Sequence, residues 1–267
     1  MEKKFQYQDT AISYCVYGEG KPVVLLHGFA EDGTIWNNQL NFLKHHCRLI
    51  IPDFPGSGRS GILQGAEVGI VEYADCIYAL LENESIDNCI MIGHSMGGYI
   101  TLALAEKYQA KLSGFGLVNS TAFEDSGEKK LMRQKGIQLM EEYGVFPFLK
   151  NTTPNLFCKK FKQEHPEIVD ALIEEGKKFT TLALVQYYKA MMNRPNRTEV
   201  LKTSEVPVFF VIGSEDVAAP LNDLLEQVHL PGVSHIHILE DIGHMSMLEA
   251  PDELNKHLLK FIEAVNF

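Results

Sequence analysis

Ser95 lies in the run Ile90-Met91-Ile92-Gly93-His94-Ser95-Met96-Gly97-Gly98, where an apolar stretch meets a G-x-S-x-G pattern and passes directly into Tyr99-Ile100-Thr101-Leu102-Ala103-Leu104-Ala105. A serine at a sharp strand-to-helix turn holds its hydroxyl clear of the sheet in strained backbone geometry. The chain passes so closely there that a Cβ at Gly93 or Gly97 would clash. The helix start then aims free N–H groups and its positive dipole end at the hydroxyl. Such a serine suits attack on a carbonyl carbon, given a base to take its proton and an acid to hold that base in one tautomer.

Among ten histidines, His244 best fits the base. It follows the strand-like run Ser234–Leu239 and the turn Glu240-Asp241-Ile242-Gly243, and it precedes a helical stretch starting near Pro251. His235 and His237 alternate within a strand, and His94 is expected to turn away from the cleft. For the acid, Asp216 stands just past Val208-Phe209-Phe210-Val211-Ile212-Gly213-Ser214-Glu215, again at a strand end. Asp125, after an earlier strand, is its main competitor, with Asp53 and Asp241 behind it. Glu215 is expected to face solvent. The order serine, aspartate, histidine is one of the known arrangements of such a triad. A tetrahedral intermediate also needs about two fixed N–H donors at its oxygen. The backbone N–H of Met96 is one candidate. The other is that of Phe29, in His27-Gly28-Phe29 after the apolar run Val23–Leu26. His27 and Gly28 read as loop structure rather than as proton carriers.

These residues need a frame. Apolar runs at 23–27, 47–51, 88–92, 114–118, 206–212 and 234–239 alternate with amphipathic stretches at 36–44, 71–82, 99–108, 221–228 and 251–264. Continuous apolar strands alternating with helices indicate a mostly parallel sheet covered on both faces. Residues 4–8 and 11–17 alternate polar and apolar, as in an edge hairpin. From 123 to 203 no strand pattern appears, only helices broken at Gly144, Pro147, Pro154, Pro166, Gly176 and Pro195. The expected organisation is a core at 1–122, a helical cap at 123–203 and the rest of the core at 204–267. A cap there would lie over the carboxyl ends of the strands, where open α/β sheets bind ligands.

Composition narrows the function. The formal net charge of −11 argues against nucleic acid or an anionic membrane surface as a partner. No apolar run is long enough to span a bilayer, and the N-terminus lacks a signal-peptide pattern, so a cytoplasmic location is expected. The five cysteines, Cys15, Cys47, Cys76, Cys89 and Cys158, form no metal or redox spacing and read as free, mostly buried thiols. No dinucleotide fingerprint or metal-ligand spacing occurs, so no cofactor and no metal are expected. The partner implied is a small-molecule substrate, with the oligomeric state left open. No cluster of arginine or lysine is apparent that would hold a phosphate or polycarboxylate. Phe146, Phe148, Phe157, Phe161, Tyr187, Tyr188, Met191 and Met192 read first as the cap's own core and second as pocket lining.

The motifs together resemble the α/β-hydrolase superfamily, in its serine-nucleophile branch of small bacterial esterases, haloperoxidase-like enzymes and carbon–carbon-bond hydrolases. The matching segments are Leu26-His27-Gly28-Phe29, Asp53-Phe54-Pro55-Gly56-Ser57-Gly58-Arg59-Ser60, the Ser95 segment, Gly213-Ser214-Glu215-Asp216 and Gly243-His244-Met245-Ser246-Met247-Leu248-Glu249-Ala250-Pro251. The resemblance implies an α/β-hydrolase fold with a helical cap inserted late in the sheet, and a structural role for the Asp53 loop. Dehalogenases and epoxide hydrolases of this fold carry aspartate where Ser95 stands. The menaquinone-pathway lyase carries arginine where Tyr99 stands. Carbon–carbon hydrolases have a more Gly-rich loop than Gly28-Phe29-Ala30-Glu31-Asp32-Gly33. The expected activity is therefore hydrolysis of an ester-like carbonyl through an acyl-enzyme. Carbon–carbon chemistry, peroxide chemistry and a slow-turnover ligand sensor are the alternatives.

Overall fold

The structure is a computed structural model, and it describes residues 1–65 and 67–266. Its centre is an eight-stranded sheet in the order β1-β2-β4-β3-β5-β6-β7-β8. The strands are β1 (Glu2–Tyr7), β2 (Thr10–Tyr17), β3 (Pro22–Leu26), β4 (Arg48–Pro52), β5 (Cys89–His94), β6 (Leu112–Val118), β7 (Val208–Gly213) and β8 (Ser234–Leu239). β1 and β2 form the expected antiparallel hairpin at one edge, and β2 runs antiparallel to β4. All other pairings are parallel.

Period-two alternation divides the core in two. Val24, Leu26 and Met91 point into one apolar cluster, while Val23, Leu25, Ile90 and Ile92 point into the other. The first is covered by α2 (Ile70–Asn83) and α3 (Met96–Tyr108), and the second by α1 (Asn37–Leu43) and the C-terminal helix (Pro251–Ala264). That C-terminal helix buries Leu254, Leu258, Phe261 and Ile262. This spacing places one apolar stripe on the sheet. β5 and β6 are buried along their whole length, as befits strands covered on both faces.

Between β6 and β7 the chain is helical. It forms α4 (Gly127–Tyr143), α5 (Val145–Thr152), α6 (Lys159–Glu164), α7 (Pro166–Glu175), α8 (Thr181–Met192) and α9 (Thr198–Lys202). Gly144 ends α4 with a positive φ of 84°, and Pro166 begins α7, so these two breakers act where the sequence placed them. Phe148, Phe157, Phe161, Tyr187 and Met191 are buried; Phe148, Tyr187 and Met191 join the first apolar cluster of the sheet and Phe157 and Phe161 the second, so the segment packs onto the core rather than around a core of its own. After β7 follow α10 (Leu221–Leu225), α11 (Ser246–Glu249) and α12, the C-terminal helix already described. Helix α10 stops three residues before the expected end at Val228. The Gln227 side chain donates to the Asp223 carbonyl at 2.7 Å and accepts from Ala122 N at 2.6 Å. It thus occupies the acceptor that a continuing helix would use.

Asp125 and two arginines fasten the ends of the helical segment together. Arg194 Nη1 lies 2.8 Å from Asp125 Oδ1, and Arg133 Nε lies 2.6 Å from Asp125 Oδ2. Arg194 also donates to the Phe123 carbonyl, and its guanidinium lies 3.8 Å from the centre of the Tyr99 ring. Two arginines therefore converge on one carboxylate. Burial would raise the Asp125 pKa, but the two guanidinium charges outweigh it and hold the carboxyl below its ordinary range. Removing one member of a buried ion pair leaves uncompensated charge. Asp125→Ala is expected to lower the unfolding free energy by about 3 kcal/mol, measured by urea denaturation at neutral pH.

Candidate active site

The close approach at the elbow is visible in its neighbours. Leu26 of β3 pairs in register with Gly93 of β5, so the loops leaving both strands emerge side by side. A Cβ on Gly93 would sit 2.3 Å from the Gly97 carbonyl, and one on Gly97 would sit 2.6 Å from the His27 and Leu26 carbonyl oxygens. Neither position admits another residue without backbone movement. Ser95 itself has φ 50° and ψ −115° and serves as the N-cap of α3. Such a conformation costs a non-glycine residue on the order of 1–3 kcal/mol. The surrounding lattice holds it: Ser95 N donates to Val118 O at 3.1 Å, Gly98 N donates to Ser95 O at 2.9 Å, and Ser120 Oγ donates to Ser95 O at 2.7 Å.

His244 and Asp216 meet. His244 Nδ1 lies 2.8 Å from Asp216 Oδ2. The carboxylate accepts three further bonds, from Asn119 Nδ2 at 3.0 Å, Ala218 N at 2.8 Å and Ala219 N at 2.9 Å. Burial would raise the Asp216 pKa, yet the charge and hydrogen bond of His244, with the Ala219 N–H and Asn119, bring it below the ordinary value. For His244, burial works against the imidazolium. The Asp216 carboxylate overcomes that, with Glu31 and Glu249 adding to it, and the net pKa is raised. The His244 loop is clamped from the helical segment. His244 N donates to Leu156 O at 2.6 Å, and Glu249 accepts from Gly243 N, Met245 N and Cys158 N.

His244 and Ser95 are neighbours through His94. The His94 and His244 ring centres are 4.8 Å apart. His94 is therefore buried within the site and does not turn away from it, because its Nδ1 is fixed at 3.2 Å from the Val118 carbonyl. Among the described residues, no hydrogen bond joins the Ser95 hydroxyl to His244.

The Phe29 loop follows β3. His27 is fully buried; its Nδ1 contacts Gly28 O at 2.8 Å, and its Nε2 accepts from Phe54 N at 2.9 Å. Burial lowers its pKa, which suits a neutral ring that braces the loop. Among the described residues, neither Phe29 N–H nor Met96 N–H makes a loop or cap hydrogen bond. The Phe29 ring stacks on Tyr188 of α8 at 4.4 Å, so Tyr188 reaches beyond the helical core to the loop. Asp53 accepts from Gly33 N and Arg59 N, as a structural residue would. Asp125 is engaged by its arginines, Glu215 is exposed, and Asp241 lies in a turn with φ 57°.

Three residues escaped the sequence reading. Asn119, fully buried, donates to Asp216 and to Gly243 O and accepts from Ser246 Oγ. A polar residue directly after the apolar run 114–118 was the available signal. Glu31 and Glu249 carried none beyond the motifs that contain them. All five cysteines are free, and burial pushes the Cys47, Cys76 and Cys89 thiols up to about 12. Among the described residues, no group of histidine, cysteine and acidic side chains could hold a metal ion, and no helix is long and apolar enough to cross a membrane.

A strained serine at a strand–helix turn beside a buried imidazole–carboxylate pair, on a doubly covered parallel sheet, defines a hydrolase architecture. The profile of the α/β hydrolase fold matches residues 21–251, and the chain belongs to this family. It is similar over the whole of both chains to a thermophilic esterase from Thermogutta terrifontis, with a TM-score of 0.93 at 25% identity. The enol-lactonase from Burkholderia xenovorans LB400 shares the fold, with a TM-score of 0.90 at 20% identity over 98% of this chain and all of that one. A 2-hydroxy-6-oxo-6-phenylhexa-2,4-dienoate hydrolase from Comamonas testosteroni is 24% identical over 265 residues, covering 95% of this chain and 92% of that protein.

Proposed function

We propose that the chain is a serine hydrolase acting on an ester-like carbonyl of a small, partly apolar substrate through an acyl-enzyme. The observation that carries this reading is the 2.8 Å contact between His244 and Asp216 beside the left-handed Ser95. In the mechanism, Ser95 Oγ attacks the carbonyl carbon as His244 Nε2 takes its proton. Asp216 holds the His244 Nδ1 proton and stabilises the imidazolium. The N–H groups of Phe29 and Met96 receive the developing oxyanion. His244 then returns the proton to the leaving alkoxide as the carbon–oxygen bond breaks. Water, deprotonated by His244, attacks the acyl carbonyl, and collapse of the second intermediate releases the acid and restores Ser95. The Phe29 ring stacked on Tyr188 of α8 gives the loop an aromatic surface that suits an uncharged acyl or aryl group. The overall likeness to an esterase at 25% identity agrees with this class.

The test is an assay with p-nitrophenyl esters of graded chain length, together with a fluorophosphonate probe. Turnover with a burst, and stoichiometric labelling that excess ester slows while it is being consumed, are expected. Absence of labelling and of turnover on every ester would reject the reading.

The His244 pKa sets the pH dependence. Only the neutral imidazole can take the serine proton, so activity is present above the pKa in the free enzyme and is lost as pH falls through it. Because that pKa is raised above its ordinary 6.5, the acid limb of kcat/KM is expected to have its midpoint above 6.5. A pH–rate profile from 5 to 9 reads it directly.

A further inference from the structure

The site contains a second buried acid–imidazole contact that the mechanism above does not use. Glu31 is buried, and its Oε2 accepts from Gly28 N at 2.6 Å. Its Oε1 lies 3.2 Å from Nε2 of His94, which has no in-line hydrogen bond of its own. A buried carboxylate is costly unless it is paired and hydrogen-bonded. Here the cost is offset by the loop N–H on one side and the imidazole on the other. Burial alone would raise the Glu31 pKa, but His94, Gly28 N–H and His27 bring it below its ordinary value.

The placement of this carboxylate is specific. The bond from Glu31 to Gly28 closes a ring over residues 28–31 that contains Phe29, whose N–H is assigned to the oxyanion. Ala30, inside the same ring, has φ 57°, a left-handed conformation that persists only where the surrounding structure holds it. His94 immediately precedes Ser95, so the other end of the tether is anchored in the elbow. A Cβ on Gly28 would meet both partners, 3.0 Å from His94 Cδ2 and 3.1 Å from Glu31 Oε2. The elbow and the Phe29 loop are thus tied together through Glu31.

We propose that Glu31 is a positioning residue for the oxyanion donor Phe29, acting through Gly28 and held in place by His94. This rests on the serine-hydrolase reading. Oxyanion donors count mainly in the transition state, so loss of the tether lowers kcat and leaves substrate binding largely alone. Purely structural loss would instead reduce the number of competent sites or alter kcat and KM together.

The experiment compares Glu31→Leu and Glu31→Gln with wild type. It reads kcat and KM on p-nitrophenyl butyrate, normalised to sites titrated by the fluorophosphonate, and the inhibition constant of an aryl trifluoromethyl ketone that mimics the tetrahedral state. Glu31→Leu is expected to lower kcat about 100-fold, with KM within threefold, and to weaken the ketone by the same factor. Glu31→Gln keeps a neutral acceptor and is expected to lose about five- to tenfold in both. If Glu31→Leu does not fold, as judged by circular dichroism, the Gln variant decides. The proposal is overturned if kcat per titrated site stays within threefold in Glu31→Leu, or if Glu31→Gln matches wild type. It is likewise overturned if the loss appears only in KM, or if the ketone binds unchanged. Failure of the wild type to take the fluorophosphonate would remove the serine-hydrolase reading and this proposal with it. Normal labelling with unaltered Glu31 variants would remove this proposal alone.

Discussion

Ser95→Ala is expected to lower kcat on p-nitrophenyl esters by roughly 10⁵–10⁶-fold and to abolish fluorophosphonate labelling, with the protein still folded. The size follows from the loss of the covalent route. Without the hydroxyl, His244 has no nucleophile to activate, and only the oxyanion donors and substrate binding remain to assist direct attack by water. The fold should tolerate the change because the hydroxyl makes no cap bond to α3. The contacts that hold the turn run through the backbone of residue 95, and alanine has the same backbone cost at φ 50° as serine. The thermal midpoint should therefore stay within a few degrees. Ester turnover by the variant within tenfold of wild type, on protein free of contaminating esterase, would refute the assignment of the nucleophile. The same assay separates an enzyme from a slow ligand sensor. A sensor would show burst and labelling in the wild type, but steady-state turnover too slow to distinguish it from Ser95→Ala.

How far the site could be read from the chain depends on whether a residue's role is fixed locally. Gly93, Ser95 and Gly97 lie within five residues and carry one turn, so their geometry is written in a single segment. His244 and Asp216 each stand just past an apolar run, and parallel strands deliver all such loops to the same end of the sheet. The same logic located Phe29. Asp125 could not be separated from Asp216 in this way, since both follow strands. The contact of Asp216 with His244 and the pairing of Asp125 with Arg133 and Arg194 distinguish them, and the arginine pairing joins residues 8 and 69 apart in sequence. The Glu31–His94 contact joins a loop to the last residue of β5 and leaves no periodic trace. His94 was misread for this reason. In a strand entering a turn, alternation says which face a side chain takes but not which partner lies there. The short α10 has a similar origin, because the Gln227 side chain acts on residues 121 and 122, far away in the chain.

Asp216→Asn is expected to lower kcat by about 10⁴-fold with little change in KM. The surrounding hydrogen bonds determine how the new amide must sit. Ala218 N and Ala219 N both donate to Oδ1, so the amide oxygen of an asparagine has to take that place. Its NH₂ then occupies the position of Oδ2, facing His244 Nδ1 and the Asn119 amide donor. An NH₂ there can only donate, which forces His244 to present a bare Nδ1 and to carry its proton on Nε2. That tautomer cannot take the proton of Ser95, and the imidazolium loses its neighbouring carboxylate as well. The acid limb of kcat/KM should move to lower pH in the residual activity, since the carboxylate that raised the His244 pKa is gone. Asp125→Asn supplies the comparison. Its carboxylate serves the arginines rather than His244, so on the proposed mechanism stability should fall while kcat stays within about threefold. If the two variants exchanged phenotypes, with Asp125→Asn inactive and Asp216→Asn active, the acid of the triad would have to be reassigned.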